Sequence, residues 1–256
     1  MNRRRWFWLP GVLTGMLMMP QFLAGCSGEE GNAPAAAPST HLMLLFQEQE
    51  PDVDPYTTRV IVTDEYMRMD DGKGARDFVL FDRRHRTIYS VSYDNRATLV
   101  IHHQPIKVDS PILLTIDARK VVHPDAPLVG GHKPVQYDLL VNGRSCTELV
   151  AVPGLLNGAL KAMREFRRTL AGQHAANLSK TPVDMLDPCF VADAVFAPVR
   201  VLQYGFPIRQ WDANGKKRTL VDYNTDFKAD PALFRLPNGF RIEEMGPHGV
   251  TSAPNA

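Results

Sequence analysis

The sequence predicts an α+β fold in which an antiparallel meander of short strands receives one long helix and one short one. Three observations carry this. Segments rich in Val, Ile, Tyr and Thr recur roughly every 8–12 residues, separated by clusters of Gly, Asp and Asn, which is the spacing of antiparallel strands. Thr87-Ile88-Tyr89-Ser90-Val91 alternates polar with apolar, so one face is buried and the other wet. Leu155, Leu156, Ala159, Leu160, Met163, Phe166 and Leu170 recur at helical intervals, giving one amphipathic helix over 155–175.

Taken in order, the strands begin at 42–46 and continue at 59–63, 66–70, 78–81, 87–92 and 98–103. Asp71-Gly72-Lys73-Gly74, Asp82-Arg83-Arg84-His85 and Asp94-Asn95 lie between them and tolerate tight turns. Longer strands are expected at 112–121 and 135–141, the second turning at Asn142-Gly143 into 145–150. Asn-Gly favours a type I′ hairpin, which needs positive φ at both central residues. Lys161, Arg164, Arg167 and Arg168 fall opposite the apolar stripe of the long helix and read as a solvated face. Asp187 caps the short helix, with Pro188 at its first position. Strands at 199–204, 206–211 and 218–224 follow, the last two joined through Asp212-Ala213-Asn214-Gly215, and 240–243 adds one more. These elements make one domain over 41–245, with 246–256 as a disordered tail.

The N-terminus carries a different message. Arg3, Arg4 and Arg5 precede an apolar stretch that ends in Leu23-Ala24-Gly25-Cys26, the layout of a secretory signal peptide over 1–25. Pro10, Gly11, Gly15, Pro20 and Gln21 interrupt the stretch, leaving it short of the ~20 apolar residues of a membrane span. Leu-Ala-Gly-Cys resembles the lipobox of bacterial lipoproteins, which implies lipidation at Cys26. Arg4-Arg5-Trp6-Phe7 also resembles the twin-arginine export signal. Residues 26–40, rich in Gly, Ala, Pro and Ser, read as a flexible tether. By the sorting rule of Gram-negative lipoproteins, Ser27 directs the protein to the outer membrane, facing the periplasm.

Taking the first 25 of 256 residues away leaves 231, and losing three arginines takes the formal charge from +1 to −2. A chain so near neutrality has no global field to attract nucleic acid. With Cys26 assigned to lipid, Cys146 and Cys189 remain as an even pair, either a disulfide or two buried thiols. Closing a loop of about 44 residues stabilises by ~4 kcal/mol on the chain-entropy account, and the periplasm permits it.

Tyr204-Gly205-Phe206-Pro207-Ile208-Arg209, the Asn214-Gly215 hairpin, Asp230-Pro231-Ala232-Leu233-Phe234 and Leu236-Pro237-Asn238-Gly239-Phe240 occur in an order that resembles the closing part of the periplasmic lipoprotein-carrier superfamily, LolA, LolB and DUF4412-type domains among them. Tyr66-Met67-Arg68-Met69-Asp70 and the strands after it resemble the early meander of those domains. The resemblance implies an antiparallel half-open β-barrel wrapped around the helices, with an apolar interior that holds acyl chains. The central region, 153–198, is longer than a minimal carrier needs, and no carrier-specific functional residue transfers to a position here.

For catalysis the chain offers no G-x-S-x-G, H-E-x-x-H, P-loop or G-x-G-x-x-G. His102 and His103 are adjacent on a strand and point to opposite faces, and His85, His123 and His132 are scattered, so no metal site or cofactor is expected. Asp70-Asp71-Gly72 lacks calcium-loop spacing and reads as a turn. Met163, Phe166, Phe196, Tyr204, Phe206, Trp211, Phe234 and Phe240 are the candidates for an apolar pocket, with ordinary barrel core as the alternative. The expectation is a non-enzymatic, membrane-anchored periplasmic lipoprotein that binds a lipid, acyl chain or lipoprotein. The alternatives are an envelope interaction module with a packed core and a protein partner, and an envelope hydrolase without a recognisable motif.

Overall fold

Leu44, Phe46 and Glu48 are buried along β1 (His41–Gln49) while Gln47 and Gln49 are exposed, the two-residue period of a strand with one covered face. The computed structural model describes residues 41–246, apart from Ala75, Val122, Pro124 and Ser179, and residues 249–252. The signal peptide, Cys26 and the whole of the tether therefore lie outside the described residues, as do 253–256.

From β1 the chain meanders through β2 (Tyr56–Val62), β3 (Tyr66–Asp70), β4 (Phe78–Asp82), β5 (Thr87–Ser92) and β6 (Ala97–His102), each antiparallel to the one before. A second meander runs through β7 (Ile116–Val121), β8 (Val135–Val141) and β9 (Arg144–Val152). After the helices it resumes with β10 (Phe206–Asp212) and β11 (Lys217–Phe227). Pairing of β1 with β11 fuses the two meanders. The described strands form one open sheet in the order β13-β12-β6-β5-β4-β3-β2-β1-β11-β10-β9-β8-β7, with β12 at Arg241–Gly246 and β13 at Gly249–Ser252. This is an α+β fold with a large, mainly antiparallel sheet that does not close. The exception to antiparallel pairing among the described strands is β12 against β6.

Helix α1 (Asn157–Leu178) covers one face of the sheet. Leu156, Ala159, Leu160 and Met163 pack with Leu44, Phe46, Val60, Met67, Phe81, Leu149 and Phe206 in the main core. Phe166 meets Phe81 edge-on at 5.7 Å, and Arg83 donates to Glu165 at 2.7 Å, so both an apolar and an ionic contact hold the helix down. The sheet's other face carries Phe78, Leu80 and Val91, covered by Phe234 and Phe240 from the C-terminal segment. A sheet covered on both faces explains why β4 reads as an unbroken apolar run.

Asn142 and Gly143 have φ of 52° and 77°, the conformation a type I′ turn demands. The same asparagine corrects the expected strand at 112–121. Its side chain accepts from the Thr115 amide and donates to the Leu113 carbonyl, occupying that backbone, so β7 starts only at Ile116. Cys146 on β9 and Cys189 on α2 (Pro188–Val191) form a disulfide with Cα atoms 5.5 Å apart, and Asp187 caps α2 by accepting from the Cys189 and Phe190 amides.

Two further expectations are corrected. Residues 199–204 are not a strand: Arg200–Leu202 forms a single 3-10 turn with all three residues buried. Burial of consecutive side chains suits a tight turn, and Arg200 anchors it by binding Asp193 and donating to the Leu140 carbonyl at 3.1 Å. Nor is 246–256 wholly without structure, because Gly246 ends β12 and 249–252 is strand β13. Met245 packs against the main core and fixes β12 in place, leaving its outer edge free to pair with β13.

Candidate functional site

Between the sheet and α1 the packing opens into a cavity of about 510 Å³, within the ~300–1,000 Å³ of small-molecule sites. The sheet supplies Phe46 from β1 and Met67 and Met69 from β3, while α1 supplies Met163, Phe166, Arg167, Leu170 and His174. Phe190, Asp193, Ala194 and Pro198 close one side, and Leu202, Pro207, Gln210, Lys216 and Arg218 complete the wall. Methionines on facing walls give a lining that adapts to the shape of an apolar guest.

Met163, Phe166, Arg167, Leu170 and His174 stand three or four residues apart and therefore share one helix face. The reading of Lys161, Arg164, Arg167 and Arg168 as a solvated stripe is corrected for two of them. Lys161 and Arg168 are exposed. Arg164 instead donates to the Leu202 carbonyl at 2.5 Å, and Arg167 donates to the Pro198 carbonyl at 3.3 Å. Long basic side chains can lay their stems along apolar surface and send the charge to a polar spot, here the backbone between α2 and β10.

A second hollow of about 310 Å³ shares Arg167, Asp193, Gln210, Lys216 and Arg218 with the first and adds Glu48, Thr147, Val201 and Asp212. The cations thus stand where an apolar chamber meets a polar one. Burial pulls the Arg167 pKa down to about 10, and the like charge of Arg218 pulls in the same direction. Burial also lowers that of Arg218, with Glu48 opposing. Glu48 Oε1 is 3.6 Å from Arg218 Nε, and that nitrogen is buried with no hydrogen-bond partner. Lys216 binds Glu50 at 2.5 Å, and Asp193 is held by Arg200. His174 meets Phe190 edge-on at 5.7 Å, and burial lowers its pKa.

Of the eight candidate pocket residues, only Met163 and Phe166 line this cavity. Phe206 is fully buried and stacks on Phe46 at 6.3 Å. Tyr204 stacks on Tyr137 at 4.1 Å, and Phe196 packs near Ala175, Leu178 and Val191. Trp211 is partly buried on β10 opposite Lys217. Phe234 stacks on Tyr66 at 5.7 Å, and Phe240 meets Tyr93 at 4.9 Å, both on the far face of the sheet.

The histidines read as scattered remain apart, His85 on Asp82, His102 on Thr87 and His123 on Gln136. Among the described residues no group of three His, Cys, Asp or Glu side chains is placed to hold a metal. Arg167, His174 and Arg218 are site residues that sequence reasoning misses. For the two on α1 the four-residue step from Met163 to Arg167 and from Leu170 to His174 is the available signal.

No family model matches the chain, and no curated protein matches it. Among solved structures, an uncharacterized conserved protein from Thermus thermophilus aligns over 80% of this chain and 91% of its own, at 11% identity and a TM-score of 0.39. PNGF-II in two crystal forms aligns over 80% of this chain at 10% and 8% identity, with TM-scores of 0.39 and 0.38. The match spans only 31% and 32% of the PNGF-II chains. Similarity this distant bears on neither ligand nor activity.

Proposed function

We propose that this chain is a lipoprotein anchored through Cys26 to the outer membrane, facing the periplasm, whose half-open sheet binds an apolar ligand without transforming it. The observation that carries the binding reading is the cavity between sheet and α1, walled by Phe46, Met67, Met69, Met163, Phe166 and Leu170. Apolar walls with a few polar groups gathered at one end are the usual make-up of a small-molecule site. A lipid or acyl chain matches such a lining, and the carrier-like meander and closing segment support the same reading.

Native mass spectrometry of the full chain, released from membranes in mild detergent, tests this directly. A bound lipid mass that disappears in Met163→Trp, which fills the chamber, is expected. A wild-type chain that is ligand-free and also fails to displace a fluorescent fatty-acid analogue would overturn the binding reading. For the anchor, metabolic labelling with palmitate should mark the wild type and leave Cys26→Ala unlabelled, whereas label retained by Cys26→Ala would remove the anchoring claim.

A further inference from the structure

We infer that the cavity takes an amphiphile with a single chain and an anionic head, a carboxylate or phosphate monoester, the head seated between Arg167 and Arg218 and the chain running into the methionine-lined chamber. This rests on the reading of the cavity as an apolar-ligand site and adds to it the chemistry of the ligand's other end.

Neither arginine at the junction has a carboxylate within hydrogen-bond distance. Arg218 Nε is buried without a hydrogen-bond partner, and its guanidinium sits 3.9 Å from the centre of the Phe46 ring. Arg167 lines the same junction, with the Pro198 carbonyl at 3.3 Å as a neutral partner. The carboxylates at the junction have other work. Asp193 is bound by Arg200 through both oxygens. Asp212 accepts from the amides of Asn214 and Lys216 at 2.9 and 3.0 Å. Glu48 is shared as an ion pair between Arg218 and Lys216, 3.6 Å from each and so beyond hydrogen-bond length for either. Two guanidiniums facing one chamber repel each other, and burying a charge without a bonded partner is costly. An anion between them relieves both, and a planar guanidinium is suited to carboxylate or phosphate oxygens.

Chain and head are both required by the shape. The apolar chamber, about 510 Å³, opens onto the polar one, about 310 Å³, with the arginines common to both. A small inorganic anion would leave the larger chamber unfilled, and a chain without a head would leave Arg218 Nε without an acceptor.

The experiment is a calorimetric and displacement panel on the wild-type chain with ligands of equal chain length: palmitate, hexadecyl phosphate, hexadecanol and hexadecyltrimethylammonium, with inorganic phosphate and acetate as chainless controls. Palmitate or hexadecyl phosphate should bind at least about tenfold more tightly than hexadecanol, as expected for a charge-assisted hydrogen bond. The cationic ligand and the free anions should bind more weakly still. Arg167→Gln and Arg218→Lys, checked for an unchanged circular dichroism spectrum, should narrow the gap between palmitate and hexadecanol. Equal binding of hexadecanol and both anionic ligands would overturn the head-group inference while leaving the apolar site intact. Free phosphate as tight as hexadecyl phosphate would overturn it in favour of a simple anion site. Binding by none of the panel would remove the apolar-ligand reading itself.

Discussion

The guanidinium of Arg218 stands 3.9 Å from the centre of the Phe46 ring, on the wall of a cavity whose opposite side presents a second arginine, Arg167. The ring faces one cation with its electron-rich surface, which offsets part of that arginine's desolvation. Arg167 has no such ring. Its partner is a carbonyl, and burial together with Arg218 holds its pKa down at about 10. Arg167→Met should therefore stabilise the ligand-free chain, by about 1–2 kcal/mol, because a like-charged neighbour is replaced by an apolar side chain of similar length. Urea denaturation at neutral pH measures this, and a lower midpoint for the variant would contradict it.

That arginine also marks where the sequence is legible and where it is not. Turn chemistry and two-residue alternation place the first meander, and Asn142-Gly143 sets the next hairpin, since each depends on neighbours in sequence. The strand expected at 199–204 is absent because Arg200 is recruited by Asp193 and the Leu140 carbonyl, contacts that no local pattern encodes. The expected pocket set fails for a related reason. Aromatic character alone does not say which face of a doubly covered sheet a ring occupies, and Phe234 and Phe240 take the face away from α1. Charge alone assigns Arg167 to the wet side of the helix, although its spacing from Met163 puts it on the cavity side.

The disulfide ties α2 to β9 across a sequence separation of 43. Cross-linking a loop of that size raises the free energy of the unfolded chain, so Cys146→Ser with Cys189→Ser should cost ~4 kcal/mol of stability. Arg144, which reaches both Asp187 and the Cys189 sulfur, leaves a polar contact between the same two elements. The double variant is thus expected to keep α2 docked while unfolding at lower urea. A wild-type chain whose midpoint does not change on reduction would show that the bond adds nothing.

Gly172 lies where α1 crosses the loop after β6, and a Cβ there would come 2.1 Å from the Gln104 carbonyl oxygen. The obstacle is backbone, so helix or loop must shift as a whole. Gly172→Ala, which in an open helix would stabilise by about 1 kcal/mol, should instead destabilise by about 1–3 kcal/mol. A thermal melt at or above the wild-type midpoint would mean that the helix sits farther from the loop than this.

Asp70 supplies the pH-dependent prediction. Its side chain is 3% exposed and accepts from Arg59 through both oxygens at 2.8 Å, from Arg68 at 2.7 Å and from the Gly72 amide at 3.0 Å. Burial raises the pKa of this carboxyl, but the hydrogen bonds and charges of the two arginines outweigh it and hold the value below the ordinary 3.8. A carboxylate with a depressed folded-state pKa contributes stability that is fully present above the unfolded value and is lost as pH falls through the folded one. Asp70→Asn should therefore cost about 3 kcal/mol at pH 7, where it leaves two arginines without their shared anion. The difference from wild type should stay constant down to about pH 4 and shrink below it. Urea midpoints for both chains from pH 7 to pH 2 measure the convergence. A gap that stays constant to pH 2 would show that packing or hydrogen bonding, rather than charge, makes Asp70 stabilising.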